Sequence, residues 1–213
     1  MTDRRRRQRQ ERRERVLRTT LEVVAERGLL ETRMSDIAER AGMSAGHVLY
    51  YFGSKNDLLM QALRWSEDDL LRRAADEFAR LPAAADRFVR FTELAAPVGP
   101  ADPGWVLWAE VWSLAPHDPK IARAHAPVDR RYIEAWADVV RYGQDTGEFL
   151  EGVDADDFAL RFSALMDGLA VKVVAGLPHL SAERLRAICL GVAAEELGCD
   201  LRRTRRRRTA ASP

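Results

Sequence analysis

The sequence has few cysteines, no long apolar run and no secretory signal. Cys189 and Cys199 are its two cysteines, too few for a disulfide framework or for a zinc site made of cysteine alone. No stretch approaches the roughly 20 consecutive apolar residues that cross a bilayer. From Arg4 the N-terminus continues into further charged residues, without the apolar segment of a secretory signal. We therefore expect a reduced, cytoplasmic protein.

Signals for β-strands are also missing. Strict alternation of apolar and polar residues does not occur, and Ala, Leu, Arg and Glu, which favour helices, dominate the sequence. Hydrophobic residues make up 46% of the 213 residues, enough to form a core. Helical spacing and breaks at glycine and proline predict helices at about 10–27, 34–41, 45–52, 54–80, 84–95, 103–114, 127–146, 154–176 and 181–197. The predicted fold class is all-α.

Residues typical of catalysis are not arranged as a catalytic site. The four histidines are scattered along the chain. We find no Glu-x-x-His metal pair, no nucleophile motif and no glycine-rich loop that could hold a phosphate. We therefore expect no enzymatic activity, no metal site and no cofactor.

Positive charge is concentrated at the two ends of the chain. Residues 1–60 contain 13 Lys and Arg against 9 Asp and Glu, whereas residues 61–200 contain 15 against 24. Residues 201–213 add six arginines and no acid. A basic head on an acidic body indicates that one part of the molecule meets a polyanion. The alternative is ordinary solvated charge on helix surfaces.

A helix-turn-helix pattern lies at residues 34–52. Two short predicted helices flank a turn that begins at Gly42, where glycine permits a positive φ. The positions spaced to pack these helices against a third are Ile37, Ala38, Ala41, Met43, Val48 and Phe52. Ser44 can cap the second helix. This helix then presents Ala45, Gly46, His47 and Tyr50 outward at the end that enters a major groove.

This segment resembles the DNA-binding domain of the TetR family of transcriptional regulators, over about residues 12–60. The resemblance rests on the string Ile37-Ala38-x-x-Ala41-Gly42-Met43-Ser44-x-Gly46-x-x-x-x-Tyr51-Phe52-x-x-Lys55-x-x-Leu58-Leu59. It implies a DNA-binding set of Thr32, Arg33, Ser44, Ala45, Gly46, His47, Tyr50, Tyr51 and Lys55. Ser44, Tyr51 and Lys55 are the candidates for phosphate contacts. The family often has tyrosine where this chain has Leu49, so the operator cannot be inferred by analogy.

The resemblance and the charge pattern together divide the chain into four parts. Residues 1–9 are expected to form a basic flexible arm, and residues 10–56 a three-helix DNA-binding domain. Residues 57–200 are expected to form a helical ligand-binding and dimerisation domain, followed by a basic disordered tail at 201–213. Nine arginines lie between Arg4 and Arg18, so the arm could touch phosphate or the minor groove.

The predicted helix at 154–176 is apolar on two faces. One stripe consists of Phe158, Phe162, Leu165, Leu169 and Val173, and a second, mostly of small residues, consists of Ala159, Ser163, Ala170 and Val174. A helix buried on both faces needs two partners, its own core and something else. The helix at 181–197 adds an apolar face with Leu185, Ile188, Cys189 and Val192. In the TetR family the last two long helices pair with those of a second copy, which implies a homodimer.

Aromatic residues follow helical spacing in the middle of the chain. Trp105, Trp108 and Trp112 share one helix face, and Tyr132 and Trp136 form an i, i+4 pair. Such stripes usually belong to a core, but three tryptophans on one face are hard to pack without leaving space. The segment from Trp105 to Leu169 resembles the C-terminal domain of the choline-responsive BetI-like branch, which implies a ligand chamber. The predicted ligand-binding residues are Trp65, Trp105, Trp108, Trp112, Tyr132, Trp136 and Asp167.

The chemistry of the ligand stays open between two classes. An aromatic box near a carboxylate holds quaternary ammonium groups or polyamines, and the candidate acids are Glu110, Asp138 and Asp167. Helical geometry points Glu110 away from the tryptophan stripe. A neutral apolar metabolite is the alternative. The expected function is a homodimeric repressor released from a palindromic DNA operator by a small molecule, and the alternative is an architectural DNA-binding protein without sequence preference or effector.

Overall fold

The computed structural model describes residues 2–201, with side chains described from Arg4 onward. Of the tail predicted at 201–213, residues 202–213 lie outside the described residues. Over the described range the chain forms nine α-helices and no strand. They are α1 (Thr2–Glu31), α2 (Met34–Arg40), α3 (Ala45–Phe52), α4 (Lys55–Phe78), α5 (Ala84–Ala95), α6 (Pro103–Leu114), α7 (Pro119–Asp145), α8 (Ala155–Val174) and α9 (Ala182–Leu197). No helix in this range is apolar for long enough to cross a membrane.

Helix α1 begins earlier than the sequence predicts. The residues expected to form a flexible arm continue the helix down to Thr2. Side-chain pairs one turn apart support this extension: Arg7 Nε lies 3.1 Å from Glu11 Oε1, and Gln10 donates to Glu14 at 2.8 Å. The regular helix ends at Gly28 (φ 74°), as predicted, because glycine accepts this left-handed conformation without a steric cost.

Helix α7 also begins earlier, at Pro119 instead of residue 127. Pro127 lies inside the helix. Proline lacks the backbone N–H that an interior position donates, which is why the sequence places a helix start there. The true start is capped locally, since Asp118 Oδ1 accepts a hydrogen bond from the Lys120 backbone at 2.9 Å.

The described chain divides into two compact units. The first comprises the chain up to Asp68 together with Ala101–Val128, and the second comprises Asp69–Pro100 together with the chain from Asp129 onward. Helices α4 and α7 contribute residues to both units. The sequence predicts a division near residue 56, whereas α6, with its tryptophans, belongs to the same unit as the helix-turn-helix.

The core of the first unit is built around the helix-turn-helix. Its predicted packing residues are confirmed as buried, apart from Met43, which is partly buried. Helix α1 packs against both α2 and α6, and Leu107 and Val111 of α6 join the same core. Burying an aliphatic side chain of this size contributes about 1.5–3 kcal/mol. The same core therefore fixes the positions of both the helix-turn-helix and α6.

The core of the second unit is aromatic. Phe88 of α5 and Trp136 of α7 have ring centroids 5.2 Å apart, and Phe162 of α8 lies 4.7 Å from Trp136. Cys189 of α9 is fully buried, and this burial raises the pKa of its thiol to about 12. A thiol held neutral in a core is a packing residue, because the thiolate is the reactive form.

The two apolar stripes predicted on α8 need a correction. One of the two stripes was expected to pack on something other than the core. Phe158, Phe162 and Val173 of the first stripe are buried within the second unit, and so are Ala159, Ser163 and Ala170 of the second. Helix α8 packs on α9 as well as on the aromatic core, so both predicted stripes are mostly internal, with Leu165, Leu169 and Val174 half-buried. The exposed apolar face of α8 belongs to neither predicted stripe and consists of Leu160, Ala164, Gly168 and Val171.

Candidate functional site

The first turn of α3 forms an exposed polar surface. Ser44 caps the helix, because its hydroxyl accepts a hydrogen bond from the His47 backbone N–H at 3.3 Å. Val48 and Phe52 are buried and hold the helix against the unit. The predicted DNA-facing residues Ser44, Ala45, Gly46, His47 and Tyr50 are all exposed. The structure therefore brings these predicted residues together on one accessible helix end.

His47 is oriented by its own helix cap. Its Nδ1 lies 3.2 Å from the Ser44 hydroxyl. This contact engages one ring nitrogen and leaves Nε2 as the nitrogen that can meet a base edge or a phosphate. Imidazole is small and polar on both sides, so it suits either contact.

Leu49 is a residue of this surface that the sequence reasoning missed. Its side chain is 52% exposed, and that of the adjacent Tyr50 is 81% exposed. In the sequence, Leu49 was noted only for the tyrosine that the family often has at this position. An exposed leucine on a DNA-facing helix can instead contact the methyl group of thymine. The sequence could have indicated this exposure, because Leu49 lies next to Val48 and is off the stripe of residues that faces the core.

Two of the predicted DNA-contacting residues have roles within the fold. Thr32 is only 1% exposed, and its hydroxyl donates to the Gly28 carbonyl at 2.7 Å. Lys55, the first residue of α4, is half-buried and donates from Nζ to the Leu29 carbonyl at 2.6 Å. Arg33 and Tyr51 are exposed, Tyr51 less so than Tyr50. The structure thus turns Thr32 inward and ties Lys55 to the end of α1.

The backbone of Leu29 is held from two sides. Its carbonyl accepts from Lys55 of α4, and its N–H donates to Glu110 Oε1 of α6 at 3.2 Å. Both contacts lie within the first unit. Glu110 is thereby engaged with the end of α1, which is a role that sequence reasoning did not assign. The bonds connect α6 mechanically to the helices that support α3.

The tryptophans of α6 form one aromatic surface. Asp102 caps this helix by accepting from the backbone N–H of Gly104 at 3.0 Å. The ring centroids of Trp108 and Trp112 are 5.4 Å apart, and those of Trp105 and Trp112 are 6.4 Å apart. Each of the three side chains is half-buried. Because their rings are partly accessible, they can offer aromatic faces to a ligand.

A histidine completes this aromatic surface. Trp112 donates from its indole N–H to His125 Nε2 at 3.1 Å. The His125 ring also meets Trp108 edge-on, with centroids 5.1 Å apart. These contacts fix the rings of both tryptophans. Sequence reasoning missed His125, although it is the histidine nearest in sequence to the predicted aromatic pair on α7.

Trp65 lies in a different setting within the first unit. The Arg18 guanidinium sits 5.7 Å from its ring centroid. Trp65 lines a groove of about 770 Å³ together with Arg64, Met60 and Ile121. None of the three α6 tryptophans lines this groove.

The remaining predicted ligand residues belong to the second unit. Tyr132 and Trp136 are buried, with centroids 6.2 Å apart. Burial and, to a smaller extent, the neighbouring negative charge of Asp129 raise the pKa of the Asp167 carboxyl to about 7. Asp138, the other candidate acid, is exposed and forms an ion pair with Arg141 at 2.9 Å. Asp167 therefore lies in a partly buried setting, whereas Asp138 lies on the surface.

No metal centre accompanies these groups. Across the residues that the structure describes, no cluster of three or more His, Cys, Asp and Glu side chains could hold a metal ion.

Comparison with known families matches both parts of the chain. Residues 16–62 match the family of bacterial regulatory proteins named tetR, and residues 82–198 match the C-terminal domain of BetI-type transcriptional repressors. The HTH-type transcriptional regulator BetI of Stenotrophomonas maltophilia is 29% identical, over 84% of this chain and 90% of its own. The BetI of Burkholderia cenocepacia is 31% identical, over 78% and 84%.

Solved structures give the same assignment. A transcriptional regulator from Saccharomonospora viridis, crystallised in complex with choline, is 34% identical and superposes with a TM-score of 0.76 over 87% of this chain and 96% of that one. A TetR-family regulator from Rhodococcus is 25% identical, with a TM-score of 0.78 over 88% and 99%. The chain belongs to the TetR family of transcriptional regulators, with a BetI-type C-terminal domain, and is therefore a DNA-binding regulator and not an enzyme.

Proposed function

We propose that this regulator is a homodimeric repressor that is released from a palindromic operator by an organic cation of the quaternary ammonium class. The observation that carries the proposal is the presence, in one compact unit, of an exposed recognition helix and a half-exposed tryptophan surface. A change at the tryptophan surface can reach the recognition helix through the single packed core that they share.

The proposed DNA contacts divide into two kinds. His47, Leu49 and Tyr50 on α3 read base edges in the major groove, since such contacts carry sequence information. Ser44, Arg33 and Tyr51 contact phosphates or the sugar, which fixes the position of the helix without specifying sequence. Ala45 and Gly46 let the start of α3 approach the DNA closely. Lys55 supports this surface from behind through the Leu29 carbonyl.

The proposed dimer forms through the outer face of α8 and α9. Leu160 and Val171 are 55% and 39% exposed, and Val192 of α9 is 43% exposed. Ala164 and Gly168 between them are small enough for a second helix to come close. A two-fold axis would place two copies of α3 in major grooves about 34–36 Å apart or a multiple of that, which is why the operator is a palindrome.

The proposed ligand binds against the rings of Trp105, Trp108 and Trp112. A quaternary ammonium group is attracted to tryptophan faces by about 0.5–2 kcal/mol for each contact. The Saccharomonospora viridis structure that this chain resembles holds choline, which supports the same ligand class here. Choline or a related trimethylammonium compound is therefore the first ligand to test.

A neutral apolar metabolite is the second candidate. Glu110 is the one acidic residue in the α6 sequence, and it bonds to the backbone of Leu29. The tryptophan surface therefore lacks a carboxylate from its own helix. This observation favours a ligand held by apolar contact alone.

One pair of ligands separates these candidates. Choline and its carbon isostere 3,3-dimethylbutan-1-ol have the same shape and differ in charge. Operator DNA is first recovered by in vitro selection from a random pool, and its affinity is then measured by fluorescence anisotropy with each compound. We expect choline to release the DNA and to bind at least about tenfold more tightly than the isostere, and Trp108→Ala and Trp112→Ala to remove the response.

Three other results would contradict the proposal in different ways. Equal effects of the two compounds would favour the neutral ligand. An undiminished response of the Trp108→Ala and Trp112→Ala variants would place the ligand elsewhere. DNA binding with neither sequence preference nor ligand response would favour the architectural alternative.

A further inference from the structure

We infer that the N-terminal half of α1 is a second DNA-contacting surface, which holds the phosphate backbone of operator DNA beside the groove that α3 reads. The inference rests on the proposed function, because it takes α3 as the helix that meets the operator. It adds a contact surface outside the helix-turn-helix and assigns it a sequence-independent role.

Three arginines form a stripe along this part of α1. Arg5, Arg9 and Arg12 follow one another at i, i+4 and i+7, so they share one helix face. All three line a groove of about 330 Å³ whose opposite wall includes Met43 and Tyr51. No acidic residue is among the residues that line this groove.

The stripe continues toward the first turn of α3. Arg12 also lines an adjoining groove of about 590 Å³. That groove is lined further by Arg15, and by Ser44 and His47 of the DNA-facing surface, with Glu39 as its one acid. The arginine surface is therefore continuous with the residues proposed to meet DNA.

Cation–π contacts hold this extension in place. The Arg9 guanidinium lies 5.3 Å from the Tyr51 ring centroid. One turn further, Arg13 lies 5.8 Å from the Phe52 ring and donates to Gln61 of α4 at 2.7 Å. The extension is thus fixed against α3 and α4 before any DNA binds, which reduces the entropy lost on binding.

The charges of the stripe are available to an external anion. Among the side chains that the structure describes, Arg5, Arg9 and Arg12 form no ion pair, whereas Arg7 on another face pairs with Glu11 at 3.1 Å. Along a helix, side chains at this spacing recur at intervals of roughly 5 Å. A row of planar guanidinium groups matches the closely spaced phosphates of a DNA strand, which arginine binds through paired hydrogen bonds.

The test compares two double variants with the same loss of charge. Arg5→Ala/Arg9→Ala removes two of the three stripe arginines, and Arg4→Ala/Arg7→Ala removes two arginines from other faces of the same helix. Alanine favours helix, so both should keep α1, which circular dichroism checks. Affinity for the selected operator is measured over about 50–200 mM salt, because each phosphate contact contributes about 0.9 to the slope of log K against log salt.

We expect the stripe variant to lower this slope by about 3 to 4 for a dimer that loses two contacts in each subunit. The Arg4→Ala/Arg7→Ala variant should keep the wild-type slope. Base preference should be unchanged in both, since phosphate contacts carry no sequence information. Arg5→Lys/Arg9→Lys should restore most of the slope, because lysine also neutralises phosphate.

An equal loss of slope in the two alanine variants would overturn the inference, because the loss would then follow from net charge and not from the position of the arginines. An unchanged slope in the stripe variant would also overturn it. In both cases wild-type operator binding and its release by choline stay intact. If the proposed function is wrong, in contrast, the wild-type protein itself shows no operator preference or no release.

Discussion

Leu49 occupies a position where an apolar side chain is accessible on the recognition helix. A contact with a thymine methyl group would be worth about 0.8 kcal/mol, which corresponds to about fourfold in affinity. We expect single replacements of thymine by uracil in the selected half-site to weaken binding by this factor at one position or more. In Leu49→Ala the same replacements should have no effect.

His47→Ala is the matched control, since it changes a neighbouring polar residue on the same helix end. It should lower operator affinity and yet preserve the difference between thymine and uracil. If wild-type protein binds all thymine and uracil operators equally, Leu49 does not contact a methyl group.

Asp167 gives the stability of the protein a pH dependence of definite sign. The pKa of its carboxyl is about 7 in the folded protein, mainly because burial disfavours the charged form. The unperturbed carboxyl has a pKa of 3.8. Between these values the unfolded chain is ionised while the folded chain keeps the proton. Its contribution to stability is therefore present at low pH and is lost as the pH rises to about 7.

Urea unfolding between about pH 5 and 8 measures this effect. The free energy of unfolding should fall as the pH approaches 7, and Asp167→Asn should flatten the curve. Asp129→Asn should flatten it partly, because it removes the neighbouring negative charge. Asp138→Asn, at an exposed position on α7, is the control and should leave the slope unchanged. A slope that survives in Asp167→Asn would show that another group titrates.

At the scale of helices, the sequence predicted those elements whose ends carry local signals. Helix α3 begins behind the Ser44 cap, and α6 begins at Pro103 behind Asp102, both as expected. The starts of α1 and α7 were misplaced because charge density and an interior proline resemble helix boundaries. The exposed stripe of α8 was not predicted, because adjacent helix positions differ by about 100° and periodicity does not reveal which neighbours a helix has.

Residues of the candidate site likewise differ in whether local sequence signals or distant packing contacts determine their roles. The exposed end of α3 was predictable, because helical spacing and a cap decide it within a few residues. The roles of Lys55 and Glu110 were not, because both bond to the backbone of Leu29 from positions 26 and 81 residues away. Such contacts depend on how distant helices pack, and no local pattern in the sequence encodes them.

The bond between Glu110 and Leu29 predicts a coupling element between α6 and the end of α1. Glu110→Ala leaves the Leu29 N–H without its acceptor and should reduce the change in operator affinity that choline causes. Choline binding itself should persist, since Glu110 bonds away from the tryptophan rings. Glu110→Gln keeps an oxygen acceptor and should keep the response. An undiminished choline response in Glu110→Ala would exclude this path.

Gly168 lies in the middle of the proposed dimer face and provides a test of it. A side chain added at Gly168 meets nothing within 4 Å in the chain, so Gly168→Trp should fold normally as a monomer. Its indole would prevent a second α8 from approaching. We expect light scattering to show a monomer and operator affinity to fall sharply, because one α3 then binds one half-site.

Gly152→Trp is the control, since Gly152 also has open space around it but lies in the turn before α8. This variant should remain dimeric and bind the operator normally. A dimeric Gly168→Trp protein would place the interface elsewhere.

Release by a ligand must act in both directions. If choline weakens operator binding by a given factor, the operator weakens choline binding by the same factor, typically about 5–150-fold. The tryptophans report this directly: fluorescence titrations with choline, in the absence and presence of saturating operator, give the two dissociation constants. Their ratio should equal the loss of operator affinity measured by anisotropy. Scrambled DNA of equal length should leave choline affinity nearly unchanged, and a ratio of one with the operator would mean that the tryptophan surface and the recognition helix are not coupled.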